Sequence, residues 1–217
     1  MIYIVNIFIN DPRLLKIIEK IEMNPNLKQR YSSKWHKIVN FLYSNPNLKI
    51  QKVAQAGSLG KKTDHKRSDL DVIFCTSQDQ PKDRLLNELY LKVHENFKKT
   101  ANVNKGTDAI HIDYKNPLTK IDLVYLKQNE FDIEFKEIKN RKQLFPQQRD
   151  AIKIVKYAFE KLLNNSIKGY EVEKACITLN CTALNTCVSS IVNYFKGRLS
   201  ENGFTVENFL RKILNIL

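Results

Sequence analysis

Read as a run of apolar and polar positions, the chain changes period twice. After an apolar opening, Met1 to Ile9, the Asp11-Pro12 pair starts a segment with Leu14, Leu15, Ile17, Ile18 and Ile21 at helical spacing, and Asn24-Pro25 is read as its stop. A second helix is predicted from Ser32 or Ser33 through Trp35, Ile38, Val39 and Leu42 to Asn45-Pro46. From Lys49 the period shortens to strand-like pieces: Ile50 to Ala56, Leu70 to Cys75, Ala109 to Tyr114 and Lys120 to Leu126. Pro81, followed by Leu85, Leu86, Leu89, Leu91, Val93 and Phe97, predicts a long helix between the second and third of these. From Gln147 onward every periodic segment is helical: Ile152 to Leu163, Val172 to Leu184, Val188 to Phe195 and Val206 to Leu217.

This order predicts an α/β (α+β) layout, a mixed β-sheet lobe flanked by helices and followed by a helical lobe, with the change near Phe135 to Pro146. The expected parts are N-terminal helices over residues 1–48 packing on the core, a sheet lobe over 49–140 and a helical C-terminal lobe over 141–217. No repeat and no Gly/Ser-rich or Pro-rich linker divides them.

Composition narrows the function classes. At 217 residues the chain can bury a core without staples. Its four cysteines, Cys75, Cys176, Cys181 and Cys187, lack zinc-site spacing and are expected as reduced thiols. The opening lacks a basic leader and no stretch is long and apolar enough for a membrane span, so an intracellular chain, cytoplasmic or nuclear, is expected. Lys and Arg number 36 against 23 Asp and Glu, a net charge of +13 that attracts polyanions such as nucleic acid or triphosphates.

The chemistry concentrates between Ala56 and Phe74. One strand ends at Gly57-Ser58, a basic loop follows, and the next strand starts Asp69-Leu70-Asp71. Strand side chains alternate, so Asp69 and Asp71 point the same way, about 6–7 Å apart. Two carboxylates on one rigid face suit a hard dication. Gly57 permits close backbone approach, and Ser58 offers a hydroxyl and nearby N–H groups to phosphate oxygens.

This arrangement resembles the signature of the polymerase β-like nucleotidyltransferases: Gly-Ser or Gly-Gly, about ten residues, then Asp-x-Asp. The spacer Gly60-Lys61-Lys62-Thr63 and the run Arg67-Ser68-Asp69-Leu70-Asp71 match the branch holding oligoadenylate synthetases, CD-NTases and CCA-adding enzymes. The likeness covers Ile50 to Tyr170. It implies a third carboxylate on a later strand, and Asp122 in Ile121-Asp122-Leu123 is preferred over Asp113 for that role. It also implies that Lys156, with Lys153 in reserve, reaches the triphosphate from the following helix.

The resemblance further implies that Mg²⁺ or Mn²⁺ on Asp69, Asp71 and Asp122 serves transfer of a nucleoside monophosphate from a nucleoside triphosphate to a hydroxyl, with pyrophosphate released. ATP, RNA and DNA are the substrates and partners it suggests. His36, His65, His94 and His111 are scattered and expected in packing or at the surface. Two basic zones are expected beside a polynucleotide: Lys61, Lys62, His65, Lys66 and Arg67, which read equally as a solvated loop, and Lys136, Lys139, Arg141, Lys142 and Arg149. The alternative is a non-catalytic nucleic-acid-binding or scaffold subunit. Its protein partner would dock on a C-terminal amphipathic helix presenting Phe204, Val206, Phe209, Leu210, Ile213, Leu214 and Leu217.

Overall fold

A computed structural model describes residues 12–65, 68–77, 81–115, 119–164 and 166–216. The apolar opening, Lys66, Arg67 and Leu217 lie outside the described residues. Contacts divide the chain into two compact units: Met23–Gln143, and the chain up to Glu22 together with Leu144 onward. The two N-terminal helices, expected over residues 1–48 to pack on the core, fall in different units.

The first unit is built on a five-stranded mixed sheet: β1 (Ile50–Gln55), β2 (Leu70–Thr76), β3 (Ala101–Lys105), β4 (Ala109–Tyr114) and β5 (Thr119–Tyr125), in the order β1-β2-β5-β4-β3. Only β2 and β5 run parallel; the other pairs are antiparallel. Alternation divides the sheet cleanly. Leu70, Val72, Phe74, Ile110, Ile112, Tyr114, Ile121, Leu123 and Tyr125 form one core with Ile38, Phe41 and Leu42 of a helix over Pro25–Tyr43 and Leu85, Leu86, Leu89 and Val93 of another over Lys82–Phe97. In chain order these are α2 and α4, after α1 (Pro12–Ile21) and the single-turn α3 (Gly57–Lys61). The opposite face has a smaller core, in which Ala54, Ile73 and Cys75 are covered by Phe131 and Ile138 of α5 (Gln128–Lys142). That helix covers only part of its face. The polar remainder is where the candidate site lies.

In the sheet unit α2, β3 and α5 differ from expectation. Helix α2 starts at Pro25, not Ser32, because the Asn24 side chain accepts the Leu27 N–H at 2.8 Å; Asn24-Pro25 both follows α1 and caps α2. Edge strand β3, Ala-Asn-Val-Asn-Lys, buries only Ala101 and Val103, too few apolar positions to reveal a strand. Helix α5 likewise buries only Phe131 and Ile138, and its start is marked by Glu130 reaching back to the Lys127 N–H at 2.9 Å.

The second unit gathers α1 and α6 (Pro146–Leu163) with α7 (Gly169–Leu179), α8 (Leu184–Tyr194), α9 (Lys196–Glu201) and α10 (Val206–Leu214). Helix α6 is its hub: Ala151, Ile152, Ile154, Val155, Ala158 and Phe159 are buried and meet α1, α7, α8 and α10. The apolar face of α10 is used here as well. Phe209, Leu210, Ile213 and Leu214 are buried in this core, which corrects the expectation that they wait for a protein partner. A short amphipathic helix at a chain end gives the same pattern whether it meets a partner or its own fold.

Asn180, left-handed at φ 45°, ends α7 earlier than expected and turns the chain so that Cys181 meets Cys187 on α8. The two form a disulfide with Cα atoms 5.2 Å apart, correcting the expectation of four reduced thiols; Cys75 and Cys176 are buried thiols. Among the described residues no single helix is long and apolar enough to cross a membrane.

Lys156 lies in this unit in an ion pair, Nζ to Glu173 Oε1 at 3.1 Å, with side chains 11% and 4% exposed. Glu173→Gln is expected to cost about 3 kcal/mol, because it removes one charge of a buried ion pair. Urea unfolding of the single variant against a Lys156→Met, Glu173→Leu double variant checks this. The double variant should recover most of the loss, and equal losses in both would show that packing, not charge, carries the effect.

Candidate active site

The parallel pairing of β2 with β5 sets Asp71 opposite Asp122. Register partners on neighbouring strands share a face and lie about 4.8 Å apart, so the two carboxylates stand side by side beyond the Ile73 and Cys75 cluster. The antiparallel pairing of β4 with β5 places His111 opposite Asp122 in turn. A polar row therefore crosses three strands: Asp71, Asp122, His111. All three are half-buried.

His111 was not expected in this row. Its Nδ1 is 2.8 Å from Asp122 Oδ1. A carboxylate oxygen only accepts, so Nδ1 carries the proton and the bond fixes how Asp122 is turned. The ring fits because the β3–β4 turn carries glycine: a Cβ at Gly106 would lie 2.7 Å from His111 Nε2. Histidines on strands are too common for spacing to reveal this; only the β4–β5 register does. Asp113, the rejected competitor for the third carboxylate, is two residues along the same strand face and opposite Lys120.

Asp69 precedes β2 and is exposed, while its neighbour Ser68 is buried. The phenol of Tyr31 is pushed up to about 12, first by burial and then by the charge of Asp69, offset in part by a hydrogen bond from the Lys120 backbone N–H. Among the described residues no three His, Cys, Asp or Glu side chains are gathered into a group able to hold a metal ion. The donor chemistry of Asp71 and Asp122 nevertheless suits a hard dication, which prefers carboxylate oxygen.

Gly57 opens α3 at φ +57°, and a Cβ there would fall 1.6 Å from Asp71 Oδ2. The Gly-Ser turn and the carboxylate strand are thus packed so closely that only glycine fits between them. Ser58 follows in the same turn, its carbonyl accepting the Thr63 N–H at 2.9 Å.

The first basic zone is not a uniformly solvated loop. Lys61 is buried against α5, its Nζ 2.9 Å from Glu134 Oε1, and His65 is buried too, whereas Lys62 is exposed. Lys61 is therefore a packing contact of the sheet unit, a correction to its expected place along a polyanion. In the second zone Lys136, Lys139 and Lys142 are exposed on α5. Arg141 meets Glu137 at 3.6 Å, and Arg149, in the helical unit, donates to the Leu144 carbonyl at 2.7 Å. Lys153 lies 3.5 Å from both Glu22 and Asp150.

This fold, a mixed sheet with a Gly-Ser turn feeding an Asp-x-Asp strand, is the polymerase β-like nucleotidyltransferase fold. Solved structures share it across most of the chain. CdnC of E. coli MS115-1, determined with ATP, matches 88% of this chain and 73% of its own at TM-score 0.65 and 15% identity. The GLD-2/RNP-8 complex matches 88% and 75% at TM-score 0.66 and 10% identity. The Cid1 poly(U) polymerase matches 84% and 72% at TM-score 0.65 and 9% identity. No family profile and no curated protein matches the sequence.

Proposed function

We propose that this chain is a metal-dependent nucleotidyltransferase that moves a nucleoside monophosphate from a nucleoside triphosphate to a hydroxyl on a nucleotide or polynucleotide end. The observation that carries this is the β2–β5 register, which sets Asp71 beside Asp122 directly across from the Gly57 turn. Structural neighbours whose names include ATP, terminal U-transferase and poly(U) polymerase point to the same substrate class.

Asp69, Asp71 and Asp122 would hold the divalent cations. Bound there, Mg²⁺ or Mn²⁺ would neutralise the triphosphate and make the acceptor hydroxyl more acidic. Asp122 keeps Oδ1 on His111, which leaves Oδ2 for the hydroxyl side of the reaction. The acceptor oxygen bonds to the α-phosphorus as the bond to the β-phosphate oxygen breaks, and pyrophosphate leaves. Gly57 keeps backbone close to Asp71, and Ser58 offers its hydroxyl to the phosphates. Lys156 is the proposed lysine for the triphosphate. The exposed Lys62, Lys136, Lys139 and Lys142 would follow a nucleic acid backbone.

A non-catalytic nucleic-acid-binding subunit is the second reading. It is favoured by one observation, the lack of a gathered three-ligand group among the described residues. Melting of the unmodified chain with and without Mg²⁺ plus each triphosphate separates the two. The enzyme reading expects a stabilisation that grows with ligand concentration, about 2.7 kcal/mol at a hundred times Kd, and labelled transfer to RNA, DNA or a free nucleotide. No shift and no transfer with any ribo- or deoxynucleotide would leave the binding subunit as the function.

A further inference from the structure

One end of the sheet gathers the starts of β2, β5 and β3 with the end of β4, because Leu70 pairs with Ile121, Tyr114 with Thr119 and Ala101 with Tyr114. Asp69 lies at this end, and Asp122 is two residues beyond Lys120. Helix α2 crosses it. The Tyr31 hydroxyl donates to the Ser68 carbonyl at 3.0 Å, and one turn on the Lys34 ammonium sits 3.4 Å from the centre of the Tyr114 ring. Helix α4 ends there too, with the Phe97 and Tyr114 ring centres 6.1 Å apart and the Thr100 carbonyl accepting the Lys115 N–H at 3.2 Å.

Four separated segments thereby bring lysines to one place: Lys34 with Lys37, Lys98 with Lys99, Lys115, and Lys120. Lys37 is one turn from Lys34, and all but the half-buried Lys34 are exposed. None of the six is in an ion pair among the described residues, whereas Lys52, Lys61 and Lys82 of the same unit each meet a carboxylate. Asp113, opposite Lys120 in register, and Glu95, one turn before Lys98, make no such pair either. Like charges gathered this way create a positive potential that a polyanion spanning them relieves.

We infer that this strand-end cluster binds the phosphate backbone of a single-stranded polynucleotide and leads its end to Asp122. The inference rests on the proposed transferase reading, to which it adds the track of the acceptor. Lys120 makes the connection: it shares the strand face of Asp122, about 6–7 Å along, so a phosphate held there leaves the terminal ribose beside the carboxylates. Lysines contacting phosphate read no base, so the track is indifferent to sequence. The cluster also bends, from α2 and α4 on one sheet face to Lys120 on the other. A flexible single strand follows such a bend and a stiff duplex does not.

The test is fluorescence anisotropy of labelled RNA and DNA oligonucleotides, single-stranded and duplex, over a range of salt. A Lys98→Ala, Lys99→Ala, Lys115→Ala variant removes three exposed charges and no core packing. For single strands its slope of log affinity against log salt is expected to flatten by about 0.7 per lysine, about 2 in all. A Lys161→Ala, Lys174→Ala, Lys196→Ala variant removes as much charge from exposed positions of the helical unit and should keep the slope. An unchanged slope in the first variant, an equal loss in the second, or no binding by the unmodified chain overturns the inference while the proposed function stands with its acceptor held elsewhere. A slope that flattens for duplex and not for single strands overturns the single-stranded partner. Failure of the unmodified chain to transfer nucleotide to a strand it binds with the full slope overturns the proposed function, and the acceptor role of this track with it.

Discussion

The Asp69→Asn, Asp71→Asn double variant is expected to lose nucleotide transfer by at least about 10²–10³-fold, the cost of removing a single group that stabilises developing charge, and to fold as the unmodified chain does. Asp69 is exposed and Asp71 half-buried, and an amide keeps their size. Neither change opens a cavity. Like charges at one strand end oppose folding when no cation is bound, so the variant should melt at the same temperature or slightly higher in EDTA. It should lose the stabilisation by Mg²⁺ plus triphosphate. Transfer assays and paired melts check both statements. A variant that still transfers nucleotide would remove these carboxylates from the mechanism, and one that unfolds in EDTA would show that they are structural.

Gly57→Ala is expected to have the other large effect, through shape and not charge. The new methyl would meet Asp71 Oδ2 at 1.6 Å, and φ +57° is a conformation an L side chain enters at a cost of about 1–2 kcal/mol. Either the turn or Asp71 must move. Melting temperature should fall, and the response to Mg²⁺ should weaken by more than the lost stability accounts for. Gly197→Ala is the contrast: a Cβ there meets nothing within 4 Å, and within α9 the change should be neutral or stabilise by up to about 1 kcal/mol. An undiminished Mg²⁺ response in the Gly57 variant would dissociate the Gly-Ser turn from the carboxylate strand.

The disulfide and the Lys61 ion pair show why residue types alone mislead at particular positions. Cys181 and Cys187 are six residues apart, a spacing without any signature, and they meet because Asn180 adopts the left-handed conformation and reverses the chain. Lys61 reads as one more charge in a basic loop. It is buried because α5 passes over the single-turn α3 and brings Glu134 to it, and α5 itself is nearly invisible in the apolar pattern. Helix α10 has the reverse problem, a clear apolar stripe whose destination periodicity cannot specify.

What the sequence determined by itself is local: strands where β-branched and apolar residues alternate or run together, the long helix α4, the helical second half, and the Gly57-Ser58 and Asp69-Leu70-Asp71 pair at adjoining strand ends. These follow from side-chain period and turn chemistry, which act over a few residues. Which carboxylate stands beside Asp71, that His111 bonds to Asp122, that the Tyr31 hydroxyl donates to the Ser68 carbonyl, and that the opening helix joins α6 instead of the sheet unit were decided only by tertiary structure. Each depends on strand order, register or helix packing between segments far apart in the chain. A parallel pairing across the forty-odd residues between β2 and β5 is set by the burial of whole faces, and no short window of sequence contains that energy.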